Sequence, residues 1–111
     1  MTITDTDEAQ ACLTASKALI EQAHVKVMLW STHAKTFRFG SYDLTKDEQK
    51  CFSTAHGNYA YAKSIEQNAI GYVERSIAGS LTEKDKKALM RCRKEIKAMQ
   101  KKIMASKKPI A

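Results

Sequence analysis

The amino-acid sequence predicts an all-α fold, an elongated antiparallel three-helix bundle with helices over about 5–36, 45–78 and 82–107. Three observations carry that expectation. Only four glycines and one proline interrupt the 111 residues, so the elements are long. Apolar residues recur at steps of three and four through each segment, the period of a helix face. Helix-start signatures open the second and third segments after connections of about eight and about four residues, and connections that short turn consecutive helices antiparallel. A chain of this length is expected to make one helical domain, 1–111, with a basic C-terminal helix over 81–108.

In the first segment Thr4 or Asp5 suits the N-cap, and Asp7 and Glu8 suit the positive first turn. Ala9, Leu13, Ser16, Ile20, Ala23, Val27, Trp30, Ala34 and Phe37 then follow along one face. "HVKVMLW" contains β-branched residues that would suit a strand, but the periodicity of the whole segment favours helix. "FRFGSYDL", 37–44, breaks the pattern. Gly40 is the expected stop, and the alternating aromatics predict an extended connection with Phe37, Phe39 or Tyr42 against the bundle.

The second segment opens on a capping box of Thr45 and Glu48, continues to Ala78 and is closed by Gly79. Ala55, Ala62 and Ala69 recur every seven residues, flanked by Cys51, Ile65 and Tyr72 on one side and Phe52, Tyr59 and Val73 on the other. Gly57, Ser64, Gly71 and Ala78 form a second column of small residues. Each glycine costs about 0.8–1 kcal/mol against alanine inside a helix. The column therefore reads as a close approach of another backbone, as a kink near Gly57 giving a four-helix variant, or as plain tolerance.

In the third segment Ser80 with Glu83, or Thr82 with Asp85, makes the capping box. Leu89, Cys92, Ile96, Met99 and Ile103 form a narrow coiled-coil-like seam, with Met90 and Met104 beside it, and Pro109 marks the end.

Catalytic and metal chemistry find little support. His24, His33 and His56 have no metal-ligand spacing, and Cys12, Cys51 and Cys92 form no zinc or redox motif and are read as reduced, core-filling thiols. Asp5, Asp7, Glu8, Asp47 and Glu48 sit at helix starts, where capping accounts for them. Glu66 and Glu74 are expected to pair with Lys63 or Arg75. There is no phosphate-binding loop and no GxSxG. The expectation is a protein that is not an enzyme and uses no cofactor. No apolar run approaches the ~18–20 residues of a membrane span. "MTITDTDEAQ" lacks the basic and apolar regions of a secretory signal, so a cytoplasmic location is expected. Most aromatics fit the core spacing, while Tyr61 falls off the stripe and reads as an exposed contact.

Charge is the strongest functional signal. Residues 1–80 carry eight basic and nine acidic side chains, whereas residues 81–111 carry eleven basic and three acidic. With the seam facing inward, Lys87, Lys94, Lys101 and Lys108 repeat every seven residues along the opposite ridge. Lys84 and Arg91 flank the ridge on one side, Lys86, Arg93 and Lys107 on the other. The contact set read from the sequence is Lys84, Lys87, Arg91, Arg93, Lys94, Lys97, Lys101, Lys102 and Lys108. Such a ridge can follow a nucleic-acid backbone by releasing condensed counterions, without a base-reading element. The alternative is docking on an acidic protein surface, in the manner of small phage- or plasmid-type inhibitors and adaptors. A third reading is a solvated helix whose lysines only maintain solubility. A membrane-surface role fits less well, because the apolar face is narrow and partly Met and Cys. Exposed Lys87, Lys94 and Lys101 would favour a polyanion. An exposed Gly57/Ser64/Gly71 column or Met90/Met104 flank would favour a protein interface or a homodimer.

Overall fold

A computed structural model describes residues 4–37 and 44–109. They form three helices, α1 (Asp5–Phe37), α2 (Lys46–Ile77) and α3 (Glu83–Ala105), each within two residues of the expected bounds. The expected roles of Phe39, Gly40 and Tyr42, and of the Phe37 side chain, lie outside the described residues.

Each helix start is held by the group the sequence provides. Thr4 Oγ1 accepts from the Asp7 N–H at 3.1 Å. At α2 the box is complete: Thr45 Oγ1 accepts from the Glu48 N–H, and Glu48 Oε1 from the Thr45 N–H. At α3 the box is Thr82 with Asp85, not Ser80 with Glu83. Gly79, at φ +72°, closes α2. Its N–H reaches the Ser76 carbonyl while the Ser80 N–H reaches that of Arg75, the paired bonds of a left-handed glycine cap.

The chain runs up, down and up. His33 near the end of α1 meets Glu48 at the start of α2, at 2.8 Å, and Arg75 near the end of α2 meets Asp85 at the start of α3, at 3.2 Å. Consequently α3 lies parallel to α1, with Arg93 on Glu8 at one end and Lys26 on the Ser106 carbonyl at the other. The principal extents are 58 × 22 × 21 Å.

The core lies along the axis between the three seams. All five predicted seam residues of α3 are buried, as are Ala55, Ala62, Ile65 and Ala69 of α2. On α1 the centre of the buried column is Ala9, Cys12, Ser16, Leu19, Ala23, Val27 and Trp30; Leu13 and Ile20, expected there, are half-buried at its edge. The reason is that α3 packs on the Cys12 side of α1, where Cys12 and Cys92 are buried in the same core cluster. Ser16 is buried without loss because its hydroxyl donates to the Leu13 carbonyl at 2.7 Å.

Two other expectations change. Arg75 pairs with Asp85 across to α3 rather than with Glu74 or Glu66, and the Lys63 ammonium lies 5.0 Å from the centre of the Tyr59 ring. α2 passes Gly57 without a break, so the kinked four-helix variant does not occur. Gly57 and Ser64 face outward, and a Cβ on Gly57 would meet nothing within 4 Å. The small-residue column is therefore not a close helix approach inside the bundle.

Candidate polyanion-binding face

Because the α3 seam turns inward at every three–four step, the remaining positions of that helix are forced out, and the lysines occupy them. Lys84, Lys87, Arg91, Arg93, Lys94, Lys97, Lys101, Lys102 and Lys108 are all exposed. Eight of the nine lie on α3, which has 23 residues and is about 35 Å long at ~1.5 Å per residue; Lys108 lies past the helix end at Ala105, where Ser106 turns extended, so it does not continue the expected seven-residue ridge.

These cations are not equivalent. The Arg93 guanidinium is bonded to Glu8 at 2.7 Å, which commits part of its charge to holding α3 on α1. Lys86, half-buried, reaches Asp5 at 3.7 Å and Glu83 at 3.5 Å. Among the described residues no acidic group lies within ion-pair distance of Lys84, Lys87, Arg91, Lys94, Lys97, Lys101, Lys102 or Lys108. The structure thus separates two clamping cations in the first half of α3 from others along its outer side that have no ion-pair partner among the described residues.

One member of the positive set was invisible to local spacing. Lys26 of α1 donates to the Ser106 carbonyl at 2.5 Å, at the negative end of the α3 dipole. Burial, and then the nearby charge of Lys108, lowers its pKa. An anion placed at this corner would relieve that repulsion. Only the tertiary register of α1 against α3 brings Lys26 here, so nothing in its own neighbourhood announced it.

The other titratable groups serve the fold. His33 bonds Glu48 and sits edge-on to Trp30, His56 stacks on Phe52, and His24 packs near Tyr59. Among the described residues no group of three or more His, Cys, Asp or Glu is placed to hold a metal ion. Burial pushes the Cys92 thiol up to about 11 and raises Cys12 as well, so both favour the neutral, less nucleophilic form. Tyr61 is 46% exposed, as its off-stripe position implied, and the charge of Glu95 raises its pKa. No described helix is long and apolar enough to cross a membrane.

Apolar residues share the surface with the ridge. Met90 is 62% and Met104 71% exposed, and Gly57 and Ser64 are open as well. Val25, Met28 and Leu29 of α1 are also exposed, a group that the single-stripe reading of that helix missed. No protein family matches the chain, and no curated protein or solved structure is significantly similar to it.

Proposed function

We propose that the protein is a non-enzymatic binding protein whose α3 lays a basic ridge along a polyanion, foremost the phosphate backbone of a nucleic acid. The supporting observation is the row Lys87, Lys94 and Lys101, exposed on one helix and without an acidic partner among the described residues. Lys84, Arg91, Lys97, Lys102 and Lys108 widen the row, and Lys26 extends it beyond the end of the helix. The face offers charge at regular intervals and no group set to read base edges, so affinity should depend on salt far more than on sequence.

The test is binding of labelled single- and double-stranded DNA and RNA at two salt concentrations, with and without Lys87→Glu, Lys94→Glu and Lys101→Glu together. If roughly five phosphates are neutralised, log K against log salt falls with a slope of about −4.5 on duplex DNA. The triple variant should abolish binding while keeping its helical circular dichroism. Absence of binding at low salt would overturn the reading.

A second reading, docking on an acidic protein surface, is favoured by the exposure of Met90 and Met104 beside the ridge. A phosphate backbone makes no use of two methionines there. Self-association through that flank or the Gly57/Ser64/Gly71 column would show as a dimer in sedimentation.

A further inference from the structure

Between Lys86 and Lys108 the sequence has a single acidic residue, Glu95. It lines a cleft of about 230 Å³ between α2 and α3, with Met99 and Lys102 beside it and Gly57, Asn58 and Tyr61 opposite. Among the described residues no cation lies within ion-pair distance of Glu95. Its charge acts instead on the Tyr61 phenol across the cleft, whose pKa it raises.

The cleft is open because α2 has no side chain at Gly57. A Cβ there would meet nothing within 4 Å. Tyr61, one turn further along the same side of α2, is 46% exposed, so the cleft ends on an aromatic ring that the core does not cover.

Aromatic and cationic side chains recur together along this side. Eleven residues, about three turns, separate Tyr61 from Tyr72 on α2 and Arg91 from Lys102 on α3. The two helices run antiparallel, so the meeting of Tyr61 and Lys102 at the cleft is repeated by Tyr72 and Arg91 about 17 Å away, at ~1.5 Å per residue. Burial raises the Tyr72 pKa, and the nearby charge of Arg91 opposes the rise. Tyr72 is half-buried, and the Arg75 guanidinium lies over its ring at 5.3 Å, which leaves Tyr61 as the open platform.

We infer, resting on the polyanion reading of α3, that this cleft takes an unpaired base of a single-stranded nucleic acid, laid on the Tyr61 ring, while Lys102 and Lys101 hold the adjoining phosphates. Charge sets the orientation. A phosphate is drawn to Lys102 and repelled from the cleft by Glu95, so the strand enters with its base inward. Stacking on a tyrosine needs no particular base, because every base has a π-face. A duplex keeps its bases paired and stacked, and meets only the outer ridge. A second copy in the cleft would bring another strongly basic α3 against this one.

The test measures fluorescence anisotropy of labelled single strands, of DNA and of RNA, beside a labelled DNA duplex. The full chain is compared with Tyr61→Ala, Tyr61→Phe and Gly57→Leu, each checked for helical circular dichroism. Tyr61→Ala should weaken single-strand binding at least roughly tenfold, and Tyr61→Phe, which keeps the ring, by less than about threefold. Gly57→Leu, which fills the cleft from an exposed helix position, should weaken it at least roughly fivefold. Duplex affinity should move by less than about twofold in all three. A 2-aminopurine in the single strand should be quenched on binding to the full chain and not on binding to Tyr61→Ala. Absence of binding by either form overturns this inference and the ridge reading together. Duplex binding as expected, with single-strand binding that Tyr61→Ala or Gly57→Leu leaves intact, overturns this inference alone. Equal weakening of both forms does the same, since it would place Tyr61 in the ridge or the fold. A dimer in sedimentation that Gly57→Leu dissociates would give the cleft to a second copy.

Discussion

Trp30 shows how one side chain can settle a junction. Its indole N–H donates to the Lys107 carbonyl at 2.9 Å while the ring packs with Val27 and Ala55 beneath Cys51 and Phe52. Trp30→Phe keeps most of the apolar body and removes the donor, leaving the carbonyl to whatever water reaches it. It should lower unfolding free energy by about 1–2 kcal/mol in a urea titration followed by circular dichroism. The two caps make a different prediction. Glu48 is held below the usual carboxylate range first by the Thr45 N–H and then by His33, and Asp85 first by the Thr82 N–H. A carboxylate with a depressed folded pKa stabilises the fold above its unfolded pKa and loses that contribution as pH falls through the folded value. The loss should therefore begin near about pH 4 and continue below it. Thr45→Ala with Thr82→Ala should lower stability at neutral pH by about 1 kcal/mol per cap, whereas Glu48→Gln with Asp85→Asn, which removes the titrating groups, should flatten the acid limb of the stability–pH curve.

Elements fold here on local information to different degrees. The α3 seam was readable in full because its five residues sit at strict three–four steps with lysines between them, leaving only one face to bury. The Thr45 box was readable for the same reason, since capping spans four residues, whereas at α3 the same local pattern fitted Ser80 with Glu83 as well as Thr82 with Asp85. α1 was harder. It carries apolar residues on two sides, and its own periodicity could not tell Leu13 and Ile20 from Cys12 and Leu19 until α3 took a position beside it. The partnership of Arg75 with Asp85 and the arrival of Lys26 at the end of α3 likewise depend on packing between helices. The candidate site divides in the same way. Lys87, Lys94 and Lys101 lie exposed as their spacing implied, while Lys86 is half-buried and Lys108 falls beyond the helix; the exposed Val25, Met28 and Leu29 of α1 were masked by the stronger inner stripe of that helix. The glycines of α2 make the element-scale prediction. Gly57→Ala adds a methyl in open space on a helix and should raise stability by about 0.8–1 kcal/mol. Gly79→Ala, at φ +72°, should lower it by about 1 kcal/mol.

At the scale of the molecule, shape and charge act together. The Cα radius of gyration is 17.6 Å, against roughly 13 Å for a compact domain of this length. Small-angle scattering of the monomer should return about 18 Å, with a distance distribution extending to about 60 Å. A side-by-side dimer would broaden the cross-section and leave that length almost unchanged. The long axis also sorts charge, because the eleven basic residues of the last 31 occupy one edge of a rod whose other two helices are close to neutral. Such a rod should align in the field of a polyanion before contact, so its association rate should fall steeply with salt while a neutralised ridge would show little dependence.

The sole tryptophan of the chain stands where α1, the beginning of α2 and the tail of α3 converge. Its emission therefore reports from one address. A ligand that pulls on the end of the basic helix must disturb the bond from its indole to the Lys107 carbonyl, and the spectrum should shift without any attached dye. Events at the opposite end, around Arg75 and Asp85, should leave the signal silent. The protein thus carries a built-in optical sensor for the docking of its own last helix.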